Sequence, residues 1–237
     1  MLSNIYLTRF DRELESRGHK FVRYADDCNI YLKSRRAAER VMSSCTEYLE
    51  KKLKLRVNHT KSRVGSPLKL KFLGFSLYRN KNGTGIRTHE KSLKRFKQKL
   101  REITRRNRGV SIESIYLRLR RYIRGWLGYY ALSDMKSAIQ GITEWLRSRI
   151  RMYIWKQWKR VRTRFSRLQR HGIPKEKAWE WANTRKGYWR TAHSPILKRA
   201  LTNKDLTGQG FYDIPKNYEV LHSTYRTAVY GSVRTVV

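Results

Sequence analysis

Residues 20–33, KFVRYADDCNIYLK, decide how the N-terminal part of this chain folds. Strand-forming residues lie on both sides of Ala25-Asp26-Asp27, and a short polar bend between two such runs reads as a hairpin. The bend carries two adjacent carboxylates in a 237-residue chain where 55 Lys+Arg face 18 Asp+Glu, a net charge of +37. Paired acids at a turn are ordinarily plain turn chemistry. They are also the hard oxygen ligands with which nucleotidyl transfer holds two divalent ions ~4 Å apart. Successive strand residues face opposite ways, so such a centre needs a third carboxylate from another strand.

Outward from the hairpin, residues 3–17 place Ile5, Leu7, Phe10 and Leu14 at helical spacing, and Gly18 ends that helix. Ser34 is the expected N-cap of the next helix, whose apolar face is Ala38, Val41, Met42, Cys45, Leu49 and Leu53. Short strands are expected at LRVN (55–58) and within KLKFLGFSLYR (69–79), with a turn at NKNGTG (80–85). From about Ser92 the pattern changes to three amphipathic helices. Leu93, Phe96, Leu100 and Ile103 line the first, which stops at Asn107-Arg108-Gly109. The second starts after Ser111 and presents Ile112, Ile115, Leu119, Ile123, Trp126, Leu127 and Tyr130. The third begins near Ser133 with Met135, Ile139, Ile142, Leu146, Ile150 and Ile154. Residues 171–237 are less periodic, broken at Ile173-Pro174 and loop-like from Gly208.

Composition narrows the function. Hydrophobic residues make up 39% and aromatics 12%, enough for a core, while 31% are charged. Residues 91–170 hold 24 Lys+Arg against 4 Asp+Glu, a net +20. Like charges so gathered repel unless a polyanion neutralises them, and nucleic acid is the commonest polyanion. Arginine predominates over lysine across 101–170, which suits bidentate phosphate contact. Tyr122, Trp126, Tyr129, Tyr130, Tyr153, Trp155 and Trp158, then Trp179, Trp181 and Trp189, interleave with these charges as core or as base-stacking rings. No stretch approaches the ~20 apolar residues of a membrane span, and no membrane partner is expected. Cys28 and Cys45 are the only cysteines. They cannot form a Cys-rich zinc site and read as reduced thiols, so the expected location is the cytosol. His171, His193 and His222 show no ligand spacing.

YADD between apolar strands resembles the polymerase signature of reverse transcriptases, and further stretches follow in that family's order. LSNIYL (2–7), the helix with Asp11 and Leu14, and RGHKFVRYADD (17–27) are similar to a group II intron reverse transcriptase and maturase of bacterial type. NHTKSRV (58–64) resembles the family's lysine-bearing palm segment, and KFLGF (71–75) the hydrophobic segment that grips the primer end. RRYIRGWLGYYALSD (120–134) resembles the thumb, or maturase, domain. WKRVRTRFSRLQRHGI (158–173) and AWEWANTRKGYWRTAHSPILKRAL (178–201) resemble the C-terminal region of many bacterial members.

The resemblance implies an α+β protein. Residues 1–86 would form the C-terminal part of the palm (a β-hairpin, a helix and short antiparallel strands). Residues 87–158 would be the helical thumb/maturase domain, and 159–237 a basic, mostly helical nucleic-acid-binding region. It implies Asp26 and Asp27 as metal-binding catalytic carboxylates, with Lys61 near the incoming nucleotide's phosphates. Tyr24, Phe72, Leu73, Gly74 and Phe75 would support the primer. The cofactor implied is Mg²⁺, two ions, and the partners are intron RNA and a DNA primer or target in the bacterial cytosol. Arg105, Arg106, Arg108, Arg120, Arg121, Arg124, Lys156, Lys159, Arg160 and Arg164 are the basic residues expected on nucleic acid.

The family's fingers, its first palm strand with another catalytic aspartate, and its PQG segment would all precede LSNIYL. The carboxylate set is therefore expected to be incomplete. Asp11, on an amphipathic helix, is read as surface or capping. The expectation is a reverse transcriptase and maturase part that does not polymerise alone, with a separate N-terminal half as a conceivable partner. The alternatives are an RNA-binding, splicing-assisting fragment and a general nucleic-acid-binding protein. Unpaired strand edges would make the isolated chain prone to association.

Overall fold

The computed structural model describes residues 2–81, 83–107 and 109–231. The backbone divides into two compact units, Met1–Thr84 and Gly85–Val237.

In the first unit, α1 (Leu2–Ser16) precedes β1 (Lys20–Tyr24) and β2 (Asp27–Tyr31), which pair only with each other, antiparallel. Gly18, at φ 69°, ends α1 in the left-handed conformation that glycine adopts freely. The His19 N–H then donates to the Leu14 carbonyl at 3.0 Å, a Schellman closure. The Ser34 hydroxyl caps α2 (Arg35–Glu47) by accepting from the Ala37 N–H, and a π-helical turn, Tyr48–Lys52, follows. Phe10, Leu14, Cys45 and Leu53 form the buried core, with Leu7, Phe21, Cys28 and Ile30 packed against it. Two expectations fail here. Ile5 is 69% exposed rather than core-facing. LRVN forms no strand, because a strand exists only where a partner completes its ladder and none meets it among the described residues. Of KLKFLGFSLYR only the end is strand: β3 (Phe75–Asn80) pairs with β4 (Gly83–Thr88), which begins in one unit and ends in the other.

The second unit is helical. α3 (Glu90–Ile103), α4 (Ile112–Tyr130) and α5 (Lys136–Gln157) fall where the periodicity places them, and Ser111 caps α4 by accepting from the Ser114 N–H. All six residues Ile150–Trp155 are buried, covering every face of α5, so α5 is the central helix of the core. α6 (Val161–Arg170), α7 (Lys175–Ala182), α8 (Tyr188–Ala192), α9 (Pro195–Ala200) and α10 (Asn203–Gly208) follow. They contribute Leu168, Ala178, Leu197, Ala200 and Leu206 to the same core. The loop-like tail expected from Gly208 is instead α11 (Ile214–Gly231). Ile214, Tyr218, Leu221 and Tyr225 form a stripe that packs on the core, and the Tyr218 hydroxyl donates to the Ser133 carbonyl at 2.9 Å. Aromatic spacing, rather than aliphatic, hid this helix.

Residues 145–175 contain no acidic residue, and among the described residues none of their arginines forms an ion pair with a carboxylate. Three of them bind helix C-termini. Arg149 Nε donates to Thr104 Oγ1 at 2.7 Å, and its Nη2 to the Arg101 and Thr104 carbonyls, at the end of α3. Arg151, 5% exposed, donates from Nε to the Leu201 carbonyl at 2.8 Å, at the end of α9. Arg164 Nε donates to the Trp158 carbonyl at 2.9 Å, at the end of α5. Terminal carbonyls have no intrahelical donor and carry the negative end of the macrodipole, so they take the place of carboxylates. Burial, the largest influence, lowers the pKa of Arg149 and Arg151.

Candidate functional site

Tyr24 pairs with Asp27, so the hairpin turn consists of Ala25 and Asp26 alone. Ala25 has φ 55°, a region that side chains with a Cβ rarely enter. Of the two central residues only Ala25 is at positive φ, the pattern that normally calls for glycine first. The strained turn is held from below. Arg23 Nη1 donates to the Ala25 carbonyl at 2.7 Å, while Nε and Nη2 form a fork on Asp11 Oδ1 and Oδ2 at 2.6 and 2.5 Å. Asp11 and Arg23 are mostly buried, with side chains 21% and 12% exposed. Asp11 is thus neither surface nor cap: it anchors the arginine that fixes the turn. Only the pairing of α1 with β1 brings these residues together, and no local signal in the sequence announces it.

Phe21, Arg23, Cys28 and Ile30 face inward, and the opposite face leaves Tyr24 66% and Val22 49% exposed. Asp26 and Asp27 are exposed, and neither forms an ion pair among the described residues. Burial first and nearby Asp11 next push the Cys28 thiol up to about 11, so at neutral pH it is held as the neutral thiol.

The other motif residues are built as turns. Phe72 and Phe75 exchange backbone hydrogen bonds at 3.0 and 2.8 Å around Leu73 (φ 49°) and Gly74 (φ 88°). Two positive φ values in a two-residue loop define a type I′ turn, in which glycine is at ease and leucine is strained. Lys61 is exposed on a turn organised by Asn58, whose carbonyl and Oδ1 accept from the Lys61 N–H at 3.1 and 3.2 Å. No ion pair joins Lys61 to either aspartate among the described residues.

A divalent ion such as Mg²⁺ can be tested against these donors. Two adjacent exposed carboxylates supply hard oxygens of the right kind. No cluster of three or more His, Cys, Asp or Glu that could hold a metal exists among the described residues. The donors fit an ion shared with substrate phosphates and fall short of a two-ion cage.

In the helical unit the expected phosphate contacts separate. Arg105, Arg106, Arg120, Arg121, Arg124, Lys159 and Arg160 are exposed. Arg108 lies outside the described residues. Lys156 is half-buried with its Nζ 5.1 Å from the Tyr188 ring centre. Arg164 is half-buried over Trp155 at 4.7 Å and capped onto α5, so its guanidinium is engaged inside the fold. The aromatics sort too. Tyr153, Trp155 and Trp158 are core, and Tyr122, Trp126 and Tyr130 pack beside it. Tyr129, Trp179 and Trp189 are 52%, 58% and 42% exposed. Among the described residues no helix is long and apolar enough to cross a membrane.

The reverse transcriptase (RNA-dependent DNA polymerase) family profile matches residues 1–77, and the group II intron maturase-specific domain profile matches 93–172. No curated protein matches the chain. With both domains in this order, the chain belongs to the group II intron-encoded reverse transcriptases/maturases.

Proposed function

We propose that the helical unit binds intron RNA and primer-template duplex, in support of splicing and mobility. In the same reading, Asp26 and Asp27 are carboxylates of the nucleotidyl-transfer centre, with 1–86 acting as palm, 87–158 as thumb and maturase domain, and 159–237 as a basic nucleic-acid-binding region. The observation that carries this is one of charge: in a chain of net +37, two exposed aspartates form no ion pair among the described residues. Open carboxylates on a clamped turn suit a cation brought with the substrate. Mg²⁺ bound there would stabilise charge on the transferring phosphate. Asp26 and Asp27 would supply oxygens to it, Arg23 and Asp11 would hold the turn, and Lys61 would face the incoming phosphates. Polymerisation would also require a carboxylate from beyond the described set. In a second reading, supported by the exposed arginines of the helical unit, this chain acts by RNA binding alone and assists intron folding.

Salt-titrated RNA binding by the purified chain, run beside primer extension with Mg²⁺ and an Asp26→Ala control, tests both readings. Steep salt dependence is expected, since each neutralised phosphate releases counterions, together with no extension by this chain alone. Extension lost in Asp26→Ala would refute the carboxylate shortfall. Absence of RNA binding would refute both readings.

A further inference from the structure

Two aromatic rings of the helical unit each gather more than one cation. Lys97 Nζ, Arg101 Cζ and Arg149 Cζ lie 5.0, 5.9 and 5.3 Å from the centre of Trp145. Arg106 Cζ and Lys156 Nζ lie 5.2 and 5.1 Å from the centre of Tyr188. A ring face attracts each cation by ~0.5–1 kcal/mol at an exposed site, but cations sharing a ring repel one another. No carboxylate among the described residues forms an ion pair with any of the five. Arg149 is committed to the end of α3. Arg106 is exposed and Lys156 half-exposed, and no hydrogen bond to the rest of the described chain holds either head group. The pair on Tyr188 is therefore a cation pair without a counter-charge.

The next residue, Trp189, is 42% exposed. Its ring stands edge-on to His193 at 4.4 Å, and the His193 ring contacts the Trp189 carbonyl at 2.9 Å, so the indole is oriented although it is open. Burial accounts for Trp155 and Trp158 but not for this ring. Two cations on Tyr188 and an oriented, open indole at the next residue of the chain supply partners for the two parts of one nucleotide, a phosphate and a base with a free face. Bases inside a duplex have no free face, and those of an unpaired strand do.

We propose that Arg106, Lys156, Tyr188 and Trp189 form a binding site for an unpaired RNA strand, with phosphate held by the Arg106 and Lys156 cations and a neighbouring base stacked on Trp189. The proposal rests on the RNA-binding reading above and adds to it the strandedness of the ligand and the residues that read it. The contact is sequence-tolerant, because every base offers a π-face.

Fluorescence anisotropy of the full chain with a labelled oligouridylate of about 12 nucleotides, and with a blunt RNA duplex, tests it. Trp189→Ala should weaken binding of the unpaired strand by about 5- to 100-fold, the stacking of one base, and leave duplex affinity and the salt slope unchanged. Trp189→Phe should retain most of the affinity. Arg106→Ala with Lys156→Ala should lower the magnitude of the salt slope by about 1. A thermal melt matching the parent separates these effects from misfolding. Parent-like binding of the unpaired strand by Trp189→Ala, or an equal loss on duplex, overturns the site while leaving the RNA-binding reading standing. Tighter binding to a DNA strand of the same base sequence overturns the choice of RNA. A parent chain that binds neither ligand overturns the RNA-binding reading itself, and this site with it.

Discussion

Leu14 and Ile150 are both fully buried, but Leu14 belongs to a cluster of four buried residues and Ile150 to a cluster of twenty-eight. The first unit sets this small core against a two-stranded sheet with both edges unpaired among the described residues, and against two strained turns. A lone hairpin is marginal in water. The second unit closes its core around α5 and satisfies its buried arginines with helix ends. The unit with the carboxylates is thus the weaker one, and the unit with the charge is the robust one. The hairpin turn is held by a few specific contacts, whereas the helical unit rests on one large core.

Several substitutions would break or sharpen that contrast. Ile150→Ala should cost about 3–5 kcal/mol by opening a cavity at the centre of the larger core. All seven tryptophans lie in 85–237, so the loss should appear as an earlier fluorescence transition in urea. Leu14→Ala should cost about 3 kcal/mol and abolish the structure of the first unit. Far-UV circular dichroism should then fall while the tryptophan transition stays in place; a joint shift would mean the units melt as one. Asp11→Ala, which removes the anchor of Arg23, should destabilise the first unit by about 2 kcal/mol, the cost of a partly buried guanidinium losing its charged acceptor. Urea titration followed by circular dichroism measures it.

The Cys28 thiol gives the comparison a pH arm. Its folded pKa is raised from 9.0 to about 11 because burial opposes the thiolate. The neutral thiol therefore favours the fold below about pH 9, and that contribution is lost as pH rises towards 11. The first unit should lose stability across this window, followed by far-UV circular dichroism in urea, and Cys28→Ser should flatten the dependence. The smallest effect expected is from Ala25→Gly. Relief of the positive φ, set against the greater unfolded-state freedom of glycine, should stabilise the hairpin by at most about 1 kcal/mol. A loss of stability instead would mean that Ala25 is not strained.

Much of the fold was legible because it is local. Alternation around YADD placed the hairpin, Gly18 and the hydroxyls of Ser34 and Ser111 placed helix ends, and 3.6-residue periodicity placed α3 to α5. LRVN forms no strand because a strand propensity is only half of a ladder. α11 was missed because its stripe uses tyrosines that composition also offers to solvent. Of the site, the pair Asp26 and Asp27 could be named from sequence, but the fork from Arg23 to Asp11 could not, since it spans twelve residues and two elements.

The sequence by itself determined the helix ends at Gly18, Ser34 and Ser111, the helix registers, the excess of positive charge and the order of the family's motifs. Each follows from steric and hydrogen-bonding rules acting over a few residues, or from simple counting. Tertiary structure alone decided that Arg151 and Arg164 are drawn onto helix ends while Arg106 stays outside, and that Trp155 is core while Trp189 is open. Those outcomes depend on which carbonyls and apolar faces arrive beside a side chain once distant elements pack. That is a property of the assembled core, not of any stretch of the chain.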